Sequence, residues 1–349
     1  MFPRYNSSLG RFGDAFRVTI DRYQQVSFDS LSALVIGSFN TDIVGFGFAT
    51  LVKQGEIGYG TKLKVGPGGK SRYVGQMLAA LLGQGKVAMV GRTTQDPFGL
   101  WRPPVDALIE AGVDCSGIRF VRFDKETGWP GITLIAMDEE GKKHTYVVEG
   151  VNSELSPDDL LQSDHLFRAV SRNKGMLILS LEIPFGTAIF AIQKAREHNV
   201  KVMLDPGGAR TGVDVASLVH SDIFLLKPND EEAEKITGIK ILDDRSASEA
   251  AKKLLSMGPQ HVLLTRGKDG AVLASKDGET LIECPRIGQT GAGDATGCGE
   301  QSLAAMCASI YRGKDMVTAA NTAVLAGTLQ YYREGVIPIS EKDLAVAAK

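Results

Sequence analysis

The sequence predicts an α/β protein in which a mostly parallel sheet carries helices on both faces. Two observations support this prediction. From about residue 175 short apolar strands alternate with helical stretches, in the order strand 176–180, helix 186–198, strand 201–204, strand 223–226, helix 230–237, helix 246–256 and strand 261–265. A glycine-rich turn at 286–297 then links a predicted strand at 280–284 to a predicted helix at 292–310.

The first half of the chain is less regular. Residues 1–32 are polar and aromatic, and we interpret them as an extension before the domain at 33–349. A buried strand at 33–37 opens that domain, and a helix that starts near residue 70 ends at Gly83. The other predicted elements are strand 87–90, helix 98–111 and a late helix at 315–332.

Two β-like stretches interrupt the first half. Glycines at 45, 47, 55, 58 and 60 divide residues 43–65 into short β-like pieces, a pattern that does not fit a crossover helix. Segments 131–137 and 145–148 flank a turn at 138–141, which is typical of a hairpin. We expect these stretches to form one small sheet beside the main one.

Composition excludes several classes of function. A net charge of −2 gives no electrostatic basis for binding nucleic acid, and no apolar stretch predicts a membrane span or a secretion signal. The four cysteines form no C-x-x-C pair, which favours a reduced, cytoplasmic location. The five histidines show no zinc-binding spacing, so we do not expect a zinc site.

The stretch 286–297 contains the strongest chemical signal. Small residues crowd one side of a single carboxylate, Asp294, before the predicted helix. Backbone N–H groups at such a turn are unpaired and, with the helix dipole, form an anion site. A carboxylate does not itself bind an anion, so we interpret Asp294 as a base acting beside a bound phosphate. The alternative role is that of an N-cap.

Other glycine clusters do not match better-known motifs. A Walker A loop that ends in Gly69-Lys70-Ser71 would need glycine at position 64, where the sequence has Lys64. No cluster fits the dinucleotide pattern G-x-G-x-x-G, so a nucleotide-dependent oxidoreductase is a weak alternative. The hydrolase pattern G-x-S-x-G is absent.

Taken together, four segments resemble the ribokinase-like (PfkB) family of carbohydrate kinases, over about residues 33–345. They are Gly-Ala-Gly-Asp at 291–294, Gly-Ser-Phe-Asn-Thr-Asp at 37–42, Gly-Gly-Lys at 68–70 and the N-x-x-E segment within 227–234. Their order and spacing carry the resemblance. It implies a three-layer α/β/α fold with a mostly parallel central sheet and a small β lid from about 43–65 and 131–148.

The resemblance also implies roles for particular residues. Asp294 would be the base for a sugar hydroxyl that attacks the γ-phosphate of ATP, and the backbone of Gly291, Ala292 and Gly293 would form the anion hole. The substrate-binding residues implied are Asn40, Asp42, Gly68, Gly69, Lys70, Tyr73 and Glu182. Glu182 falls where ribokinase-like proteins often place a substrate-facing polar residue, and the alternative is a solvated strand end. The ATP-binding residues implied are Lys227, Asn229, Thr265, Gly267 and Asn321.

The resemblance implies Mg²⁺ held near Asn229 and Glu232, through water. The same two residues match a capping box, in which an N-cap side chain and a residue three positions later bond each other's backbone N–H groups. The two roles are compatible, because residues of a capping box can also face a metal site. The resemblance further allows a homodimer formed through the lid.

Two departures from the family pattern leave the substrate open. Gly288 stands where an Asp helps to bind a monovalent cation, which puts potassium activation in doubt. Tyr73 stands where an Asn holds sugar hydroxyls, and its neighbour Arg72 could meet a phosphate or carboxylate. The acceptor could thus be a sugar, a nucleoside, a 2-keto-3-deoxy acid or a sugar phosphate. A catalytically weak sensor of a sugar or nucleotide is the alternative from another class.

Overall fold

A computed structural model describes residues 30–126, 128–210, 212–287, 293–333 and 335–347. Most of the predicted extension at 1–32, and residues 288–292, which include Gly291 and Ala292 of the predicted anion hole, therefore lie outside the described residues. The strands are β1 Ala33–Ile36, β2 Asn40–Phe48, β3 Lys62–Gly68, β4 Val87–Thr94, β5 Asp114–Val121, β6 Gly131–Asp138, β7 Lys143–Val148, β8 Met176–Ser180, β9 Lys201–Asp205, β10 Ile223–Leu226, β11 His261–Thr265, β12 Ala271–Ser275 and β13 Gly278–Ile282.

The main sheet of the described chain has nine strands in the order β13-β12-β11-β10-β9-β8-β1-β4-β5. From β5 to β11 neighbouring strands run parallel, whereas β12 and β13 are antiparallel at one edge. Strands such as β1 and β8 are buried along their whole length, because helices cover both faces. The predicted mostly parallel sheet is confirmed.

Helices form a layer on each side of this sheet. They are α1 Lys70–Leu82, α2 Arg102–Glu110, α3 Pro157–Gln162, α4 Asp164–Arg172, α5 Phe185–Glu197, α6 Asp230–Thr237, α7 Asp244–Ser256, α8 Cys298–Tyr311, α9 Met316–Tyr331 and α10 Glu341–Ala347. Successive β1 residues enter different cores: Leu34 and Ile36 pack with α4 and α5, while Ala33 and Val35 pack with α1 and α8. This alternation confirms the predicted α/β class and its three layers.

The small sheet has the order β3-β2-β6-β7 and confirms the expected lid. β2 pairs antiparallel with β3 and parallel with β6, and β6 and β7 form the predicted hairpin. Asn40 and Asp42 belong to β2, so the lid itself carries these two predicted substrate residues.

Several elements differ from their prediction. α2 begins at Arg102, not at 98, because Pro103 and Pro104 occupy the first helical turn, where a missing N–H costs least. α8 begins at Cys298, not at 292, because Gly297 adopts a left-handed φ of 79° directly before it. β5 and β12 were not predicted, since neither shows a clear period. In the described residues no helix is long and apolar enough to cross a membrane.

Candidate active site

Polar residues follow five neighbouring strands at the carboxyl edge of the main sheet. They are Ser38 after β1, Glu182 after β8, Asp205 at the end of β9, Lys227 after β10 and Thr265 at the end of β11. The carboxyl ends of parallel strands meet at one edge, which is where open α/β sheets bind ligands. The lid starts from the same edge, directly after β1.

Asn40 is buried at the start of the lid and is held by a network of amides. Its Nδ2 donates to Thr133 Oγ1 at 3.3 Å, and its Oδ1 accepts from Asn152 Nδ2 at 2.8 Å. Asn152 also bonds both the N–H and the carbonyl of Phe39, at 3.1 and 3.0 Å. These bonds fix the hinge between the main sheet and the lid.

Asp42 packs directly on the glycine pair that precedes α1. A Cβ on Gly68 would lie 1.9 Å from Asp42 Oδ1, so only glycine fits there. Gly69 has a φ of 92°, and a Cβ on it would lie 2.8 Å from the Ser38 carbonyl oxygen. Burial raises the pKa of the Asp42 carboxyl, against hydrogen bonds from Thr133 and Tyr73.

Tyr73 and Arg72 stand beside Asp42 but differ in what they can offer a ligand. The Tyr73 hydroxyl lies 3.1 Å from Asp42 Oδ2 and from the Pro67 carbonyl oxygen. The Arg72 guanidinium is fully buried, stacks 3.7 Å from the Tyr73 ring centre and donates to Gly68, Pro67 and Gln76. Burial lowers the pKa of Arg72 to about 10. Arg72 thus braces the glycine pair and is not placed to meet a phosphate.

Lys70 begins α1 and links it to two carboxylates. Its backbone N–H donates to Glu182 Oε2 at 3.0 Å, and Ser38 Oγ donates to the same oxygen. Its Nζ donates to Glu300 Oε1 at 2.8 Å, and Glu300 raises the pKa of Lys70 well above its ordinary value, against the effect of burial. Burial raises the pKa of Glu182. The Lys70 ammonium is therefore held in one place by a buried partner.

Asp205 and Lys227 form a buried ion pair between β9 and β10. Asp205 Oδ2 lies 3.6 Å from Lys227 Nζ, and the Gly207 N–H donates to Asp205 Oδ1 at 2.8 Å. Burial alone would raise the pKa of Asp205, but Lys227, Lys70 and that N–H together hold it below its ordinary value. The Asp205 carboxylate thus stays ionised beside Lys227 at the ligand edge of the sheet.

Asn229 and Glu232 form the capping box that their spacing predicts. Asn229 Oδ1 accepts from the Glu232 N–H at 2.8 Å, and Glu232 Oε2 accepts from the Asn229 N–H at 2.9 Å. The other carboxylate oxygen of Glu232, Oε1, faces Gly207. A Cβ on Gly207 would lie 2.8 Å from this oxygen and 3.1 Å from Lys70 Nζ. Burial, followed by the charge of Asp205, raises the pKa of Glu232. Oε1 is thus the part of the capping box that faces the site.

Asp294 lies in a tight turn just before α8. Its N–H donates to the Tyr331 carbonyl at 2.9 Å, and its Oδ1 accepts from the N–H and hydroxyl of Thr296, at 2.9 and 2.6 Å. Its side chain caps this local turn and does not cap α8, whose first residue is Cys298. Gly293 packs on Tyr331, because a Cβ would lie 2.3 Å from that ring.

Three of the predicted nucleotide residues, Thr265, Gly267 and Asn321, are more open than the buried Lys227. Thr265 Oγ1 donates to the Pro228 carbonyl at 3.3 Å, and Thr265 bridges to Asn229 in the sheet. Gly267 is exposed in the turn after β11. Asn321 stands apart from the acceptor network: it is exposed on α9, and its Nδ2 donates to the Val317 carbonyl of its own helix at 2.8 Å.

Potassium activation stays in doubt for the reason that the sequence gives. Such an ion needs free carbonyl or carboxylate oxygens, and Gly288 provides no carboxylate. In the segment after α9, Gln330 Nε2 donates to the Gly335 carbonyl at 2.8 Å, and Arg333 donates to the Pro338 carbonyl at 3.0 Å. Each of these two carbonyl oxygens therefore already accepts one hydrogen bond, and we assign no step to a cation.

Three residues of the site were not predicted from the sequence. Glu300 is the single charged residue between 295 and 311, and that isolation was a signal of a buried partner. Asp205 precedes Pro206-Gly207-Gly208, a loop that could have marked a strand end at the ligand edge. Asn152 gave no local signal, since its partners lie 112 and 113 positions away.

Comparison with known proteins agrees with this geometry. A family model described as pfkB family carbohydrate kinase matches residues 30–343. Ribokinase of Staphylococcus aureus is 28% identical over 216 residues, 61% of this chain and 68% of that protein. Deoxyribokinase of Salmonella typhi is 25% identical over 291 residues, 83% of this chain and 89% of that protein. The structure of Arabidopsis thaliana ribokinase complexed with ribose and ATP matches with a TM-score of 0.78 at 24% identity, over 92% of this chain and 99% of that one. The chain therefore belongs to the PfkB family of carbohydrate kinases.

Proposed function

We propose that this chain transfers the γ-phosphoryl group of ATP to a primary hydroxyl of a small sugar, with Asp294 as general base. Relatives named ribokinase and deoxyribokinase favour a pentose. The observation that carries the proposal is the placement of Asp294. Its turn is contacted by the lid, through Lys143 and Thr296, and the same lid carries Asp42.

The reaction needs positioning more than covalent chemistry. The acceptor oxygen bonds to the γ-phosphorus while the bond from phosphorus to the β–γ bridging oxygen breaks, and Asp294 takes the hydroxyl proton. Because the transition state is loose, orientation and charge stabilisation supply most of the rate. The anion hole predicted at Gly291, Ala292 and Gly293 would hold the phosphoryl oxygens.

The acceptor would bind between the lid and the start of α1. Asn40, Asp42, Lys70, Tyr73 and Glu182 supply donors and acceptors around the Gly68–Gly69 backbone. A sugar presents hydroxyls in several directions, which suits this mixed set. A nucleoside, a 2-keto-3-deoxy acid and a sugar phosphate are the competing acceptors.

ATP would bind on the other side of Asp294, along Lys227, Asn229, Thr265, Gly267 and Asn321. Mg²⁺ would sit beside Asn229 and Glu232 through water, where it would neutralise charge on the phosphates. Glu232 Oε1, the oxygen that the capping box leaves facing the site, fits that role.

The outer face of the lid would bind a second copy of the chain. Leu63, Val65, Leu134, Tyr146 and Val148 are exposed on the lid, and their register places them on one face. An exposed apolar face of a sheet is typical of an association surface.

Asp294→Asn tests the proposed base. We expect turnover to fall at least about a hundredfold, because the proton acceptor is lost while shape is kept. ADP release is measured across pentoses, hexoses, nucleosides, keto acids and sugar phosphates, and ATP binding is measured by calorimetry. Near-normal turnover of the variant would exclude Asp294 as the base. ATP hydrolysis that no acceptor accelerates would indicate a sensor instead.

A further inference from the structure

One lysine of the lid lies on the face that covers the site. In the lid register Asp42 pairs with Thr133, and Thr133 pairs with Val147. Side chains of a strand alternate between faces, so Lys143, four residues before Val147, lies on the same face as Asp42. Lys143 is therefore directed towards the site and away from the apolar outer face.

Lys143 reaches the turn that holds the proposed base. Its Nζ lies 3.4 Å from Thr296 Oγ1, across 153 positions of sequence. Thr296 in turn donates both its N–H and its hydroxyl to Asp294 Oδ1. Burial raises the pKa of Asp42, and the charge of Lys143 is among the groups that oppose that rise. The ammonium thus contacts the turn that holds Asp294 and is near enough to Asp42 for its charge to act on that carboxyl.

The charge of Lys143 is not neutralised by an ion pair in the described part of the chain. Its side chain is exposed, and within the described residues no carboxylate lies within ion-pair distance of its Nζ. The neighbouring Lys142 is equally exposed but pairs with Glu140 at 2.7 Å in the turn before β7. The charge of Lys143 is therefore available to a ligand that enters between the lid and the Asp294 turn.

We propose that Lys143 is a catalytic residue that contacts the transferring phosphoryl group. This rests on the proposed function. Its ammonium neutralises charge on the phosphoryl oxygens as the acceptor oxygen bonds to phosphorus and the bond to the ADP oxygen breaks. The hydroxyl proton goes to Asp294, and the electron pair of the broken bond leaves with ADP. Lys143 keeps its proton throughout and acts by charge alone.

A competing role is that of a latch. If Lys143 only held the lid down through Thr296, its loss would loosen acceptor binding and raise the acceptor KM. A contact made to the phosphoryl group in the transition state lowers kcat instead, and leaves that KM nearly unchanged. The split between kcat and KM therefore separates the two roles.

The test compares Lys143→Met, Lys143→Arg and the control Lys142→Met in the full chain. ADP release is measured with both substrates saturating, using the best acceptor found for the unmodified enzyme. We expect Lys143→Met to lower kcat about a hundredfold, the order seen when one charge-stabilising donor is removed. Lys143→Arg should recover most of that loss, and Lys142→Met should stay within about twofold of the unmodified enzyme.

Two outcomes would overturn the inference. A kcat for Lys143→Met within about twofold of the unmodified enzyme would exclude the contact, and a change in acceptor KM alone would identify a latch. Either result leaves the proposed function standing, because the unmodified enzyme would still phosphorylate its acceptor. If no acceptor stimulates the unmodified enzyme, the proposed function fails first, and the inference falls with it.

Discussion

The two faces of the lid sheet contrast sharply in chemistry although they share the same four strands. The face towards the main domain carries Asp42, Lys64 and Lys143, whereas the opposite face exposes Leu63 and Tyr146 with 71% and 65% of their area accessible. In the first four residues of Lys62–Gly68 charged and apolar side chains alternate, as expected for a strand with two different environments. The contrast fits the proposal that one sheet has two partners, a ligand on the inner face and a second copy of the chain on the outer face.

Asp42→Asn should give a change as large as that expected for Lys143→Met, the largest among variants of the inner face. A carboxylate bonds sugar hydroxyls more strongly than an amide does, and two weakened charge-assisted bonds amount to about a hundredfold in kcat/KM for the acceptor. Initial rates at varied acceptor concentration measure this. Sedimentation should give the same mass as for the unmodified chain. Unchanged kcat/KM would mean that the inner face does not bind the acceptor.

The paired change Leu63→Lys and Tyr146→Lys tests the outer face. Each copy would bring two lysines to the contact, so a symmetric dimer would bury four positive charges against apolar surface. This should convert a dimer into monomers at micromolar concentration. Light scattering measures the mass, and turnover per chain should stay within about threefold. Ile57→Lys is the control, since Ile57 is exposed in the loop between β2 and β3, outside the sheet face.

A monomeric unmodified chain would contradict the proposed lid dimer directly. A dimer that survives the paired change would place the interface elsewhere. In both cases the apolar outer face would need another partner, and the contrast between the two faces would lose its explanation.

The lid shows which parts of the site the sequence could predict. Its strands were predictable because glycines and a hairpin turn mark them locally, and the Gly68–Gly69 pair marks the close approach of Asp42. Residues 40, 42 and 68–70 lie in one connected region, as their resemblance to one binding site predicted, and their role in binding the acceptor stays a prediction. Roles for Gly291 and Ala292 stay predictions, since these residues lie outside the described part of the chain.

Contacts between distant segments were not predictable. Glu300 meets Lys70 across 230 positions, and Lys143 meets Thr296 across 153. Neither pair has a spacing that helix or strand periodicity can reveal, so only the folded chain identifies the partner. Arg72 is the opposite case. The sequence allowed its guanidinium to bind a phosphate, but in the folded chain the guanidinium donates to the backbone carbonyls of Gly68 and Pro67.

Lys64→Met should give the smallest change and refine the contrast further. Lys64 lies on the inner face. Its Nζ is close to Gly335, since a Cβ on that glycine would lie 3.7 Å from it. Its side chain is exposed, so solvent screens its charge, and we expect kcat to fall only about twofold to fivefold. ADP release at saturating substrates measures this beside Lys143→Met. A graded result, strong at Lys143 and weak at Lys64, indicates a specific contact with the phosphoryl group. Equal losses at both lysines would mean that the inner face acts through its summed field, since a field depends on total charge and a contact depends on position.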